Sequence, residues 1–175
     1  MNAAINANSK HRAANDTANT VTLALSGVHA RFGLYGISDH EWKRLCATHL
    51  PHAMDERGGA DNECAAVRAD EIEDVLRLLL DHRSDDDDET RWLAHAIATA
   101  CLGANHLYQD MGFPHREVLS ELLRRHFSAL FDKNTGNMKW KKFFYKQLCD
   151  RAEINMCKAP SCGVCEDYKK CFGAE

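Results

Sequence analysis

Apolar residues recur at three- and four-residue steps along most of the chain, and no period-2 run of β-branched residues appears. That spacing gathers apolar side chains on one helical face, so each periodic stretch predicts a helix. Val21, Leu25, Val28 and Phe32 define the first, which Gly33 and Gly36 close with a turn. Ser38 opens the second: Glu41 completes a capping box, Trp42, Leu45 and His49 share a face, and Pro51 ends it. Asp70 to His82 is the clearest amphipathic stretch, with Ile72, Val75, Leu76, Leu79 and Leu80 as its stripe. Thr90 is positioned to cap a helix running to Leu102, with Trp92, Leu93, Ala96, Ile97 and Ala100 inward and Gly103 as its C′ residue. After Pro114, the series Val118, Leu119, Leu122, Leu123, Phe127 and Leu130 predicts one further helix. Asn134–Asn137 reads as a turn before a last helix from Lys139 to about Ala152, with Phe143, Phe144 and Leu148 buried. The expected fold class is all-α, a compact bundle of about five or six helices with a C-terminal cysteine-rich metal-binding tail.

Between these stretches the pattern lapses. Residues 1–19 are rich in Ala and Asn and hold one large apolar residue, Ile5, so they read as a disordered leader. Residues 52–66 carry Gly58-Gly59 and read as a loop. Asp85–Asp88 reads as a solvated loop, because neighbouring carboxylates repel and the spacing of an EF-hand is absent. The chain has 175 residues, which predicts a single domain over 20–175 with a core that needs no disulfides.

Composition narrows the function. The 22 Lys+Arg against 26 Asp+Glu give −4, which excludes a generally basic nucleic-acid binder but leaves room for a local basic patch. The longest apolar run lies near Val21–Leu25, far short of the roughly 20 residues of a membrane span. No secretory signal is visible, so a cytoplasmic, reducing compartment is expected. No zincin pair of histidines, Gly-rich phosphate loop or nucleophile–base pair is apparent, and an enzyme is not expected.

Cysteine is the unusual residue. Of eight, four close the chain as Cys157-x4-Cys162-x2-Cys165-x5-Cys171. Four thiolates within that span can reach one centre, and Pro160 and Gly163 help the chain wrap around it. Three occupants compete. An iron–sulfur cluster suits the C-x4-C-x2-C start, although the fourth cysteine departs from the plant-type ferredoxin pattern. A zinc site usually separates two knuckles by a spacer of about 12–20 residues, missing here. Disulfides or free thiols are the plainest alternative. Cys46, Cys101 and Cys149 read as small core residues, Cys149 also as the spare ligand nearest the tail; Cys64 has no assignment.

Two further groups can carry chemistry. Asp110 lies four residues after His106 and would orient its imidazole if the stretch is helical; the alternative is a helix-end histidine bonding the last carbonyls. His126, among Leu122, Leu123 and Phe127, reads as a satisfied, partly buried histidine. Lys139, Lys142 and Lys146 fall on one face of the last helix, where they are solvated, face a partner or bind an anion. The interleaved Trp140, Phe143, Phe144 and Tyr145 fit core packing better than exposed base stacking.

Several stretches taken together resemble one family: Trp92-Leu93-Ala94, Ala100-Cys101-Leu102-Gly103, His106-Leu107-Tyr108-Gln109-Asp110-Met111-Gly112, Asn137-Met138-Lys139-Trp140-Lys141-Lys142-Phe143, the four-cysteine tail and Phe172-Gly173. The sequence resembles the NifQ family, closely from Arg91 to Gly173 and more loosely from Phe32 to Arg83. Tyr108 and Met111 stand where Trp and Leu are usual in the family. The resemblance implies a molybdenum-handling protein of nitrogen fixation. It would carry an oxygen-sensitive iron–sulfur cluster of 4Fe–4S type that incorporates molybdenum, with molybdate as the metal source. Cys157, Cys162, Cys165 and Cys171 would be its ligands. The implied recipient is assembly of the nitrogenase iron–molybdenum cofactor (FeMo-co), with the cofactor scaffold complex and the nitrogenase iron protein as partners.

Overall fold

The computed structural model describes residues 18–55 and 69–151. Among these the chain forms eight α-helices and one 3-10 turn, and no strand. In chain order they are α1 (18–32), α2 (Asp39–Thr48), the 3-10 turn Pro51–Ala53, α3 (Ala69–Asp81), α4 (Asp88–Ala100), α5 (Leu107–Asp110), α6 (Arg116–His126), α7 (Ser128–Lys133) and α8 (Trp140–Arg151). The all-α expectation holds for this part of the chain. The tail cysteines and Cys64 lie outside the described residues, as do residues 1–17. Ala18 and Asn19, expected in the leader, are already helical. His52 and Ala53, at the start of the expected loop, belong to the 3-10 turn.

α4 is the axis of the core. Trp92, Leu93, Ala94, Ala96, Ile97, Ala98, Thr99 and Ala100 are all buried, so this helix has no solvent face over most of its length. Its small residues let neighbours approach closely, and α3 packs along it. α3 turns Ile72, Val75, Leu78 and Leu79 inward; Leu76 and Leu80, placed in the stripe by periodicity, are only partly buried, while Leu78 is fully so. α8 also packs against α3, with Trp140, Phe143, Phe144 and Tyr145 buried and Leu148 half-buried. Cys46 and Cys101 are buried in the core as expected, whereas Cys149 is half-exposed.

Local chemistry fixes the ends. Ser38 and Glu41 form the predicted capping box on α2. At α4 the cap is Asp87, whose Oδ1 accepts from Thr90 N at 2.6 Å, and not Thr90. Thr90 is instead buried, its Oγ1 2.8 Å from Nδ1 of the buried His126. The helix predicted to run unbroken through Leu130 is two helices, because Phe127 leaves helical geometry (φ −140°, ψ 49°) and buries its ring completely. Ser84 heals the break: its N–H donates to His126 O at 2.8 Å and its Oγ accepts from Ser128 N at 3.0 Å. This split and the one-turn α5 raise the helix count above the five or six expected.

Candidate functional site

The stretch Gly103–Asp110 folds back on itself between α4 and α6. Asp110 is its anchor. Its carboxylate is only 2% exposed by residue and accepts from Asn105 N at 3.1 Å, Asn105 Nδ2 at 3.0 Å and Lys141 Nζ at 2.5 Å. Lys141 Nζ also donates to Gly103 O at 2.7 Å. One buried ion pair thereby fastens the start of α8 to the loop that follows α4. Gly103 is required for this. It is not the expected C′ residue, because α4 is capped at Cys101; a Cβ at Gly103 would overlap the Asp110 carboxylate.

The His106–Asp110 pairing is one of two readings of this stretch, conditional on its being helical. The carboxylate is taken by Asn105 and Lys141. His106 stands exposed at the N-cap of α5, its ring stacked on Tyr108 with centroids 5.8 Å apart. α5 ends on Gly112 at φ 80°, whose turn lets α1 approach closely. Gly27 of α1 lies against it, and an added Cβ would come within 2.6 Å of Met111 O.

A cleft of about 150 Å³ opens between α5, the start of α6 and the start of α8. His106, Arg116, Lys139, Lys141 and Lys142 line it with Asn105, and Leu107, Tyr108, Leu119 and Trp140 form its apolar walls. Arg116 is held in place by the turn before α8: its Nη2 donates to Asn137 Oδ1 at 2.9 Å and Met138 O at 2.8 Å. Its guanidinium also lies over the Trp140 ring, 6.0 Å from the centroid. Burial pulls the Arg116 pKa below its ordinary value, with Glu117 opposing. Asn137 adopts φ 49° to make the turn, and Asn134 closes it by accepting from Met138 N at 2.8 Å.

Of the lysines singled out by helical spacing, Lys139 and Lys142 line the cleft. Lys146 does not; it is exposed and donates to Asp150 at 2.6 Å. Sequence reasoning missed Lys141, Arg116 and Asn105. Lys141 lies in the same basic run, but a one-face selection skips it. Arg116 and Asn105 reach the cleft only through tertiary contacts, and no spacing announces them. No group of three metal-binding side chains occurs among the described residues. No helix among them is long and apolar enough to cross a membrane.

Comparison with known proteins identifies the chain's relatives. The sequence profile of the NifQ family matches residues 17–173. This chain belongs to the NifQ family. The NifQ protein of Azotobacter vinelandii is 40% identical over 151 residues, covering 80% of this chain and 77% of its own. The NifQ homolog of Sinorhizobium fredii NGR234 is 42% identical over 103 residues, covering 58% of this chain and 45% of its own. The NifQ protein of Rhodobacter capsulatus is 39% identical over 87 residues, covering 50% and 48%. No solved structure matches the chain. NifQ membership implies a role in nitrogen fixation. The matched span includes both the cleft and all four tail cysteines.

Proposed function

We propose that this chain is a molybdenum carrier and not an enzyme: its four tail thiolates hold a molybdenum–iron–sulfur cluster of 4Fe–4S type as cargo for FeMo-co assembly. The observation that carries the reading is the Cys157-x4-Cys162-x2-Cys165-x5-Cys171 motif in a chain that belongs to the NifQ family. The donor set fits the cargo. Soft thiolates suit iron–sulfur units and reduced molybdenum, whereas molybdate is a hard oxyanion whose oxygens must be exchanged for sulfur. On this reading the carrier works in the cytoplasm and meets the FeMo-co scaffold complex and the nitrogenase iron protein. Cys149, half-exposed near the end of α8, is the nearest described thiol to the tail.

Iron, molybdenum, zinc and sulfide analysis of anaerobically purified protein tests it. Brown protein holding iron and molybdenum and bleaching in air is the expected result. Iron with a reversible redox couple and no molybdenum uptake would make it an electron-transfer protein. Stoichiometric zinc that persists through iron–sulfide reconstitution would reduce the tail to a structural staple. Within the motif, the x4 loop is easier to open than the C-x2-C pair. Cys157→Ala is therefore expected to lower molybdenum content more than iron, and equal loss of both would reject Cys157 as the labile ligand.

A further inference from the structure

A groove of about 380 Å³ runs along α3, between that helix and the turn that follows α1. Tyr35, Leu76 and Leu80 are its apolar lining; all three pack on the core yet are only partly buried. Along α3 the lining extends from Glu73 to Asp81, a rise of about 12 Å. The end of α8 lies at the Asp81 end of this groove. Tyr145 Oη donates to Glu71 near the start of α3, and Arg151 Nη1 donates to Asp81 Oδ2 at 2.9 Å at its finish. The two helices therefore run parallel. Asp81 is at once part of the groove and the partner of Arg151, so the chain leaves α8 beside the groove.

The residues after Arg151 match what the groove offers. They read Ala152-Glu153-Ile154-Asn155-Met156-Cys157-Lys158. In an extended chain, side chains two positions apart share a face and stand about 6.6 Å apart. Leu76 and Leu80 lie about one turn apart on α3, roughly 6 Å along its axis. An extended segment running back along α3 from Asp81 thus sets Ile154 against Leu80 and Met156 against Leu76, and brings Lys158 to Glu73. Seven extended residues reach about 23 Å, ample for the groove.

We propose that residues 152–158 dock in this groove as an extended segment antiparallel to α3. Docking removes Ile154 and Met156 from water together with Leu76 and Leu80, and it pairs the Lys158 ammonium with the Glu73 carboxylate. Cys157, at the alternate position of the segment, faces away from α3 and keeps its thiol available. The start of the cysteine motif is thereby fastened to the helical body, whatever the motif holds.

The test is zero-length carbodiimide cross-linking of the metal-free full chain under anaerobic, reducing conditions. The reagent activates a carboxylate, a nearby amine displaces it to form an amide, and peptide mass spectrometry maps the bond. A Glu73–Lys158 bond within monomeric protein is expected. The double variant Ile154→Asp/Met156→Asp should lower its yield about tenfold or more, through loss of two buried apolar contacts. Leu76→Ser should lower it from the groove side, with a melting curve to verify the fold. Asn155→Ala, facing away from α3, should leave it unchanged. Lys158 joined only to carboxylates away from α3, or a yield that survives the double variant, would overturn the docking. A Glu73–Lys158 bond found only between two chains would give the groove to a second copy and overturn it too. The docking is independent of the carrier reading. Loss of the cross-link leaves the metal analysis to decide that reading, and protein that takes up no metal yet forms the bond sinks the carrier and keeps the docking.

Discussion

Two helices of this protein begin with a run of like charges, and the runs behave oppositely. The four aspartates Asp85–Asp88 lead into α4. Asp87 caps that helix, and Asp88 and Glu89 sit in its first turn, where the helix dipole favours negative charge. Arginines answer Asp86 and Asp88: Arg83 and Arg91 reach Asp86 at 3.0 and 3.1 Å, Arg91 reaches Asp88 at 2.5 Å, and Arg44 also pairs with Asp88. The run expected to be a solvated loop is thus a structural cap that remains largely solvent-exposed. The lysines Lys139, Lys141 and Lys142 lead into α8, where the dipole disfavours them and no first-turn acid helps. Lys141 is answered from a distant element, by Asp110. A charge run that serves folding is placed with the dipole and answered by neighbours. One placed against the dipole gains nothing from its own helix and depends on carboxylates brought from elsewhere, as Asp110 is brought to Lys141.

Substitutions can break this comparison at several strengths. The largest effect is expected from Lys141→Met, which leaves Asp110 buried without its cation. Urea denaturation should show a loss of about 3–5 kcal/mol, with part recovered on adding Asp110→Asn. A loss of only a few tenths would mean that Asp110 is solvated. Gly103→Ala presses a methyl group into the same carboxylate and should cost about 1–3 kcal/mol by the same assay. On the acidic side, Asp87→Ala removes the α4 cap and should cost about 1 kcal/mol, read from the melting midpoint.

The acidic run also faces His126, which sharpens the contrast through pH. Burial lowers the His126 pKa from the ordinary 6.5; Asp87, Glu89 and Asp85 act in the opposite sense, and Arg125 acts with burial. The unfolded chain therefore takes up a proton near pH 6.5 before the native protein does, so stability falls as pH drops through and below that value. His49 and His95 are lowered by burial too and add in the same direction. Melting temperatures measured from pH 8 to 5 should decline, and His126→Gln should flatten that decline. A flat wild-type profile would contradict burial of neutral histidines. The smallest effect belongs to Lys139→Glu: replacing a cation by an anion beside the α8 N-terminus should stabilise the protein by about 0.3–1 kcal/mol, read from the melting midpoint. A variant that loses stability would show that the Lys139 charge serves the fold.

What the sequence determined by itself is local. Helical periodicity located the long amphipathic helices to within a few residues, because the spacing that buries a stripe is a property of each segment alone. The Ser38–Glu41 box was equally legible, since both partners lie within one turn. Membership in the NifQ family was also legible, because it rests on residue order. Tertiary structure decided what depends on neighbours distant in the chain. Leu78 is buried because α3 packs against both α4 and α8, which cover more of its surface than one apolar stripe. The helix break at Phe127 depends on Ser84, more than forty residues earlier, taking up the freed backbone groups. Asp110 holds Lys141, 31 residues on, because a buried carboxylate takes the strongest donors the packing delivers, and no spacing along the chain announces that partner. The basic cleft exists only because α6 brings Arg116 beside the start of α8, and no periodicity in the sequence encodes that meeting.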